Sequence, residues 1–387
     1  MVSSVDVRPD DRHRETIYRK TIDLVKNQIP PAGSATSEPP IRQARVLCLT
    51  GRVTDTYRRI LLAARPRGLV DDTTLSIDDS ATVPEPAEGQ ALVKVGYLSI
   101  DPTIRTWMDD APGYLPPIGI GEVVRSGGIG EVVASRADNL PVGATVFGML
   151  GWQEYALADG AESAMTVVPP GIDPGVVLGV LGVTGMTAYF GLKDIGRPRP
   201  GDTVVVSGAA GATGSVVGQL ARIEGAGTIV GIAGSADKCA WLVDGLGFDH
   251  AIDYRTEDVP ARIRETCPNG VDVFFDNVGG DILDACLANL GMHARVVLCG
   301  AISQYNEDRP VGPRNYLQLI VKRARMEGFL ILDYLDRFAT AQMEMAGWVM
   351  EGRIQHREHV VSGLENAGAA LNLLFSGGNT GKVVVAV

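Results

Sequence analysis

Residues 203–218, Thr-Val-Val-Val-Ser-Gly-Ala-Ala-Gly-Ala-Thr-Gly-Ser-Val-Val-Gly, constrain the fold of this chain more than any other stretch. The β-branched run at 203–206 predicts a strand, and Val216, Val217, Leu220 and Ile223 recur at the spacing of a helical apolar stripe. Between them stands Gly208-x-x-Gly211-x-x-Gly214. Such a turn places small residues where backbone must approach a diphosphate and aims a helix N-terminus at the anion. Taken alone, the glycine triplet reads equally well as an ordinary tight connection.

Downstream, strand-like and helix-like runs alternate: strand 228–233, helix 236–246, strand 251–253, strand 271–275, helix 282–290, strand 295–299, helix 315–325, strand 328–332 and helix 336–351. That rhythm is the signature of a doubly wound parallel sheet, whose ligands bind at the carboxyl ends of the strands. The tail changes texture, with Val360-Val361, a helix over 365–375 and a terminal strand over 382–387, and fits a return to the first domain.

Upstream, short β-like runs at 59–64, 91–99, 118–126, 129–135, 145–150 and 152–156 suggest a small barrel or sandwich. Residues 1–55 read as a poorly ordered extension whose prolines frame a Gly/Ser/Thr-rich linker. The apolar stretch 176–192 is interrupted by four glycines and is a poor membrane span; it reads as a buried connection between domains. The expected boundaries are 1–55 for the extension, 56–180 for the first domain completed by 346–387, and 181–345 for the parallel-sheet domain.

A formal net charge of -11 without a basic run argues against a nucleic-acid surface. Cys48, Cys239, Cys267, Cys286 and Cys299 are scattered and never in C-x-x-C spacing, which predicts no disulfide framework and a reducing, cytoplasmic setting. No secretory signal or transit peptide is read. Residues 56–195 contain neither Cys nor His, so a catalytic zinc held by this domain and a four-cysteine zinc lobe are not expected. His250, His293, His356 and His359 carry no Ser-His-Asp context.

In dinucleotide folds that use NAD, a carboxylate about 20 residues beyond the glycines holds the ribose 2′-hydroxyl. Here strand 228–233 ends in Ala233-Gly234-Ser235 with no carboxylate, and Lys238 follows in the first turn of a helix, where the dipole opposes a cation unless an anion compensates it. This favours NADPH, against the alternative of a solvated lysine beside Asp237. Asn277, in Asp276-Asn277-Val278-Gly279-Gly280, and the segment 300–306 stand where strands end and where a nicotinamide would lie; for Asn277 a structural turn is an equal reading.

From Tyr57 to Val387 the chain resembles the zinc-independent branch of the medium-chain dehydrogenase/reductase superfamily, in particular the leukotriene B4 dehydrogenase/prostaglandin reductase family of NADPH-dependent alkenal and enone reductases. The matching motifs are Tyr97-Leu98-Ser99-Ile100-Asp101-Pro102 with Arg105, Gly185-Met186-Thr187-Ala188-Tyr189, the turn at 208–218, Gly234-Ser235-x-x-Lys238, Phe275-Asp276-Asn277-Val278-Gly279-Gly280, Cys299 to Asn306, and Gly378-Asn379-x-Gly381-Lys382.

The resemblance implies an α/β protein: a GroES-like β-barrel domain plus a doubly wound parallel-sheet (Rossmann) domain with NADPH in the cleft and no metal. It assigns Gly208, Gly211, Ala212, Thr213 and Gly214 to the diphosphate turn, Ser235, Lys238 and Tyr254 to the 2′-phosphate region, and Asn277, Cys299, Ala301, Ile302, Ser303 and Tyr305 to the nicotinamide-ribose side. Phe329, Leu330 and Ile331 would meet the nicotinamide, and Asn379 the cofactor from the tail. The implied reaction adds hydride to the β-carbon of an α,β-unsaturated ketone or aldehyde, with Tyr305 steadying the enolate oxygen or relaying a proton; a loop-capping tyrosine is its alternative. The partners implied are a small-molecule substrate and a second copy of the chain. A quinone reductase on the same scaffold and a non-catalytic NADPH-binding sensor are the competing readings. Two residues depart from the family pattern: Thr103 replaces an aromatic after Asp-Pro, and Gly208 replaces an alanine.

Overall fold

The computed structural model describes residues 56–160 and 165–387; the sequence expectation for 1–55 lies outside the described residues. Val53–Val168 and Pro174–Val387 form one compact unit, and Pro169–Asp173, the described part of the other unit, contains a turn.

The first half contains β1 (Thr56–Leu62), β2 (Leu75–Thr82), β3 (Gln90–Ser99), a single-turn helix α1 (Thr103–Trp107), β4 (Gly127–Ser135), β5 (Thr145–Met149), β6 (Tyr155–Asp159) and β7 (Thr166–Val167). β1 and β2 pair as an antiparallel ribbon, while β3 pairs with both β4 and β6. In the long strand β3, Ala91, Val93 and Val95 enter a core shared with Leu62, Ile104, Met108 and Trp152, and Leu92 is buried on the other face. The segment 118–126, expected as a strand, is irregular apart from one bridge at Val123, because its polar groups bond piecemeal to Leu62, Ile60 and Trp152.

The chain then passes through α2 (Pro174–Leu178) and α3 (Val183–Phe190) into β8 (Thr203–Ser207), α4 (Ala212–Ile223), β9 (Thr228–Ala233), α5 (Ala236–Ala240), β10 (His250–Asp253), α6 (Val259–Thr266), β11 (Val271–Asp276), α7 (Gly280–Ala288), β12 (Leu290–Leu298), α8 (Gln318–Lys322) and β13 (Arg325–Gly328). Six strands make one all-parallel sheet in the order β10-β9-β8-β11-β12-β13. The central strands are apolar throughout because both faces are covered: Val204 and Val206 face one core, Val205 the other. The last strand runs over Arg325–Gly328 rather than 328–332, since Arg325 pairs with Arg295 and Gly328 with Leu298; the chain then turns into a 3-10 segment, Ile331–Arg337. The helix expected at 315–325 is the short α8.

After α9 (Phe338–Met350), β14 (Glu358–Ser362), α10 (Ala367–Ser376) and β15 (Lys382–Ala386) follow, and β15 lies antiparallel beside β3 in the sheet of the first half. Lys382, only 2% exposed, fixes that return. Its ammonium donates to the Ile100 carbonyl at 2.9 Å and to Asp101 Oδ1 at 2.6 Å, while Ser99 Oγ donates to the other carboxylate oxygen at 2.5 Å. Lys382 is buried and Asp101 half-buried, so removing the lysine leaves a partly hydrated carboxylate without its cation, at a cost of about 1–2 kcal/mol. Lys382→Met is therefore expected to lower the thermal unfolding midpoint by several degrees. The Lys382→Met/Asp101→Asn double variant should recover part of that loss in the same scan, and full additivity of the two changes would refute the coupling.

Candidate active site

The glycine turn joins β8 to α4 with the geometry its residues permit. Gly208 has φ of +56°, which favours glycine over the alanine of the family pattern, and its carbonyl accepts from Gly211 N at 3.0 Å. A Cβ on Gly214 would stand 2.4 Å from that carbonyl oxygen, so only glycine lets the first helical turn close onto the strand end. Ser215 N is the first to bond back, to Gly211 O; the N–H groups of Ala212, Thr213 and Gly214 at the start of α4 have no helical acceptor and suit an anion.

At the end of β9, Ser235 caps α5, its side chain accepting from Lys238 N at 3.3 Å. Lys238 Nζ donates to the Gly377 carbonyl at 2.8 Å, and Arg255 Nη2 to the Ser376 carbonyl at 2.6 Å. Tyr254 packs against Gly234, whose missing Cβ would fall 2.7 Å from the ring. Burial, and then the charge of Arg255, lower the Lys238 ammonium from its ordinary value. Two adjacent cations held only by neutral carbonyls make a site for an anion. Arg255 was missed by sequence reading; the signal available was a second cation directly after Tyr254 at the close of β10.

The nicotinamide side is organised by Asp276, which is fully buried. Its carboxylate accepts from Ser207 Oγ at 2.7 Å and from the backbone N–H groups of Val278 and Gly279, both at 3.0 Å; burial raises its pKa and these bonds oppose the rise. Asn277 donates through Nδ2 to Ser207 O at 2.7 Å, so its amide ties the loop to β8. The next loop is zipped to this one: Cys299 N donates to Asp276 O, Ile302 N to Asn277 O, and Ser303 through N and Oγ to Val278 O. Burial, followed by the Asp276 charge, pushes the Cys299 thiol up to about 12, so it is neither nucleophile nor anion.

Tyr305 closes the same loop. Its hydroxyl accepts from Ala301 N at 3.1 Å, and burial raises the phenol above its ordinary value, leaving an O–H that can donate. Tyr114 stands near Tyr305, and its own hydroxyl bonds to Thr103 Oγ1, the departing position after Asp-Pro. Sequence reading offered no signal for Tyr114, which sits in a Pro/Gly-rich loop. Phe329 and Ile331 are half-buried and pack against the core, Phe329 beside Phe275 next to Gly191. Asn379 is buried and donates through Nδ2 to Gly381 O, while Gly381 N donates to Ala210 O, laying the tail along the glycine turn.

Among the described residues no three His, Cys, Asp or Glu side chains converge as metal ligands, and residues 56–195 contain neither Cys nor His.

Two family models match: the N-terminal domain of oxidoreductase over residues 58–167 and zinc-binding dehydrogenase over residues 212–346. The chain is 41% identical over 338 residues to the NADPH-dependent curcumin reductase of Escherichia coli, covering 85% of this chain and 96% of that one. It is 39% identical over 307 residues to the NADP(+)-dependent 2-alkenal reductase of Nicotiana tabacum, covering 79% and 90%. The crystal structure of CurA in complex with NADPH from Vibrio vulnificus superposes with a TM-score of 0.81 at 42% identity, covering 85% of this chain and 99% of that one. With these relatives spanning both halves, the chain belongs to the zinc-independent alkenal and enone reductases of the medium-chain dehydrogenase/reductase superfamily.

Proposed function

We propose that this protein is an NADPH-dependent reductase of the C=C bond of α,β-unsaturated ketones and aldehydes, with Tyr305 as the hydrogen-bond donor at the substrate oxygen. The observation that carries the reading is the Tyr305 hydroxyl, set by the Ala301 N–H on a loop that is bonded to the strand ends beside the glycine turn. The quinone-reductase alternative is not favoured, since relatives near 40% identity are named for alkenal and curcumin reduction.

NADPH supplies the hydride that adds to the β-carbon. The N–H groups of Ala212, Thr213 and Gly214 would hold its diphosphate, and Lys238, Arg255, Tyr254 and Ser235 its 2′-phosphate. Charge gathers on the carbonyl oxygen as the β-carbon accepts hydride; the Tyr305 hydroxyl stabilises that oxygen as a hydrogen-bond donor, and a proton from solvent then completes the α-carbon. Tyr114, held by Thr103, stands as a second hydroxyl on the substrate side. The site needs few side chains because the cofactor carries the chemistry and the loops supply position.

A cytosolic setting suits a chain whose four described thiols, Cys239, Cys267, Cys286 and Cys299, are all free. A homodimer formed through the parallel sheet is supported by β13, an open edge strand, and by apolar side chains exposed beside it: Leu317, Val321 and Ile320, the last 74% exposed.

Purified protein should oxidise NADPH, and NADH far more slowly, with a 2-alkenal or an aryl enone, followed at the nicotinamide absorbance. Lys238→Ala and Arg255→Ala should each cut the NADPH/NADH ratio of kcat/KM roughly tenfold, and an unchanged ratio in both would remove the 2′-phosphate assignment. Tyr305→Phe should lower kcat by about 10- to 100-fold while the NADPH dissociation constant stays within a few-fold; parent-like turnover would leave Tyr305 a loop cap. Ile320→Glu should convert the dimer to monomer by light scattering, whereas a monomeric parent would dismiss the interface.

A further inference from the structure

The loop 108–118 that follows α1 is fastened at both ends and held in its middle by one hydrogen bond. Ile118 N donates to Trp107 O at 2.7 Å, and Arg65 closes the same neck, donating through Nη1 to Met108 O at 2.8 Å and to Ile118 O at 2.6 Å. The limbs next to the neck are held too. Buried Arg105 binds Asp109 at 2.6 Å, and Arg125 donates to Pro116 O at 3.0 Å while lying over the Trp107 ring, 5.7 Å from its centre. Among the described residues, 110–115 make a single hydrogen bond to the rest of the chain, between the Tyr114 hydroxyl and Thr103 Oγ1.

That bond sets where the loop tip lies. The Tyr114 ring also meets the Trp107 ring at 77° with centres 6.4 Å apart, so the tyrosine is held both by its hydroxyl and by its ring. So placed, Tyr114 stands near Tyr305, the residue that the reductase reading puts at the substrate oxygen. The walls of the loop are largely apolar: Trp107, Pro112, Tyr114, Leu115 and Pro117 line a cavity of about 180 Å³. Such walls favour a ring over a short alkyl chain, because an aromatic group buries more apolar area against them. Thr103 is the residue that departs from the aromatic of the family pattern, so this contact belongs to the chain's own sequence and not to the pattern it shares.

We propose that Thr103 is a positioning residue that sets a preference for aryl enones over short 2-alkenals, by fastening Tyr114, and with it the tip of loop 108–118, beside Tyr305. The inference rests on the enone-reductase reading. Thr103 acts through Tyr114 and not on the reacting atoms. Tyr114 is 47% exposed, and a hydrogen bond open to water has a modest net worth, so the expected effect is about fivefold.

The test compares kcat/KM for an aryl enone with that for a short 2-alkenal, using the full-length protein and NADPH. Thr103→Val removes the hydroxyl at nearly constant volume. It should lower the aryl-to-alkenal ratio about fivefold, mostly through KM for the aryl enone, with the NADPH dissociation constant unchanged. Thr103→Ser keeps the hydroxyl and should restore most of the ratio, which a packing role for the threonine methyl would not allow. Tyr114→Phe should match Thr103→Val, and the double variant should be no worse than either alone, because both changes break the same bond. A ratio unmoved by Thr103→Val, a loss that Thr103→Ser shares, or additive losses in the double variant would overturn the proposal. Absence of turnover of both substrates by the unmodified protein would instead remove the reductase reading on which it rests.

Discussion

The ion pair between the buried Lys382 and Asp101 is the constraint on which the site depends, because it fixes the chain tail at the point where the two halves meet. Over the residues just before it, the tail offers its backbone to each part of the cofactor region. Ser376 O takes Arg255, Gly377 O takes Lys238, and Gly381 N reaches Ala210 O on the glycine turn. Asp101, in turn, begins the bend that leads into α1 and Thr103 on the substrate side. Cations, glycine turn and substrate helix thus share one short piece of backbone as their common reference. The partners it gives the two cations are neutral carbonyls, which orient a charge without cancelling it.

A fully buried carboxylate does for the loops what the half-buried Asp101 does for the tail. Asp276 is satisfied by one hydroxyl and two backbone N–H groups, so it tolerates burial without a cation. Its role is geometric, since the loop it shapes receives the hydrogen bonds that hold the Cys299–Tyr305 segment. Burial in the same region keeps the Cys299 thiol and the Tyr305 phenol protonated. A rigid, protonated donor is the right kind of group for an oxygen that becomes negative only during the reaction.

The parallel sheet was legible in the sequence and much of the first half was not, for a physical reason. Strands buried on both faces read as continuous apolar runs, and β9 occupies the predicted residues 228–233 without a shift. β2, with the sequence Leu-Ser-Ile-Asp-Asp-Ser-Ala-Thr, buries little and pairs only with β1, so no periodicity announces it. The segment 118–126 misled in the opposite sense, being β-branched in part yet bonded irregularly to three different strands and loops. Site residues divide in the same way. The glycine turn and Lys238 announce themselves by local pattern, whereas Tyr114 and Arg255 matter only through neighbours distant in sequence.

Charge distribution links the cofactor end and the substrate end of the cleft. The chain carries a formal charge of -11, so a distant anion meets net repulsion, but salt screens that repulsion beyond about 8 Å at physiological ionic strength. Inside that radius local cations decide. Lys238 and Arg255 stand together without a bound carboxylate at the cofactor end. Further along, the surroundings of Tyr305 and Cys299 favour neutral groups. An acidic protein that leaves two adjacent cations in the cleft held only by carbonyls is arranged to draw in a molecule anionic at that end and neutral at the reacting centre.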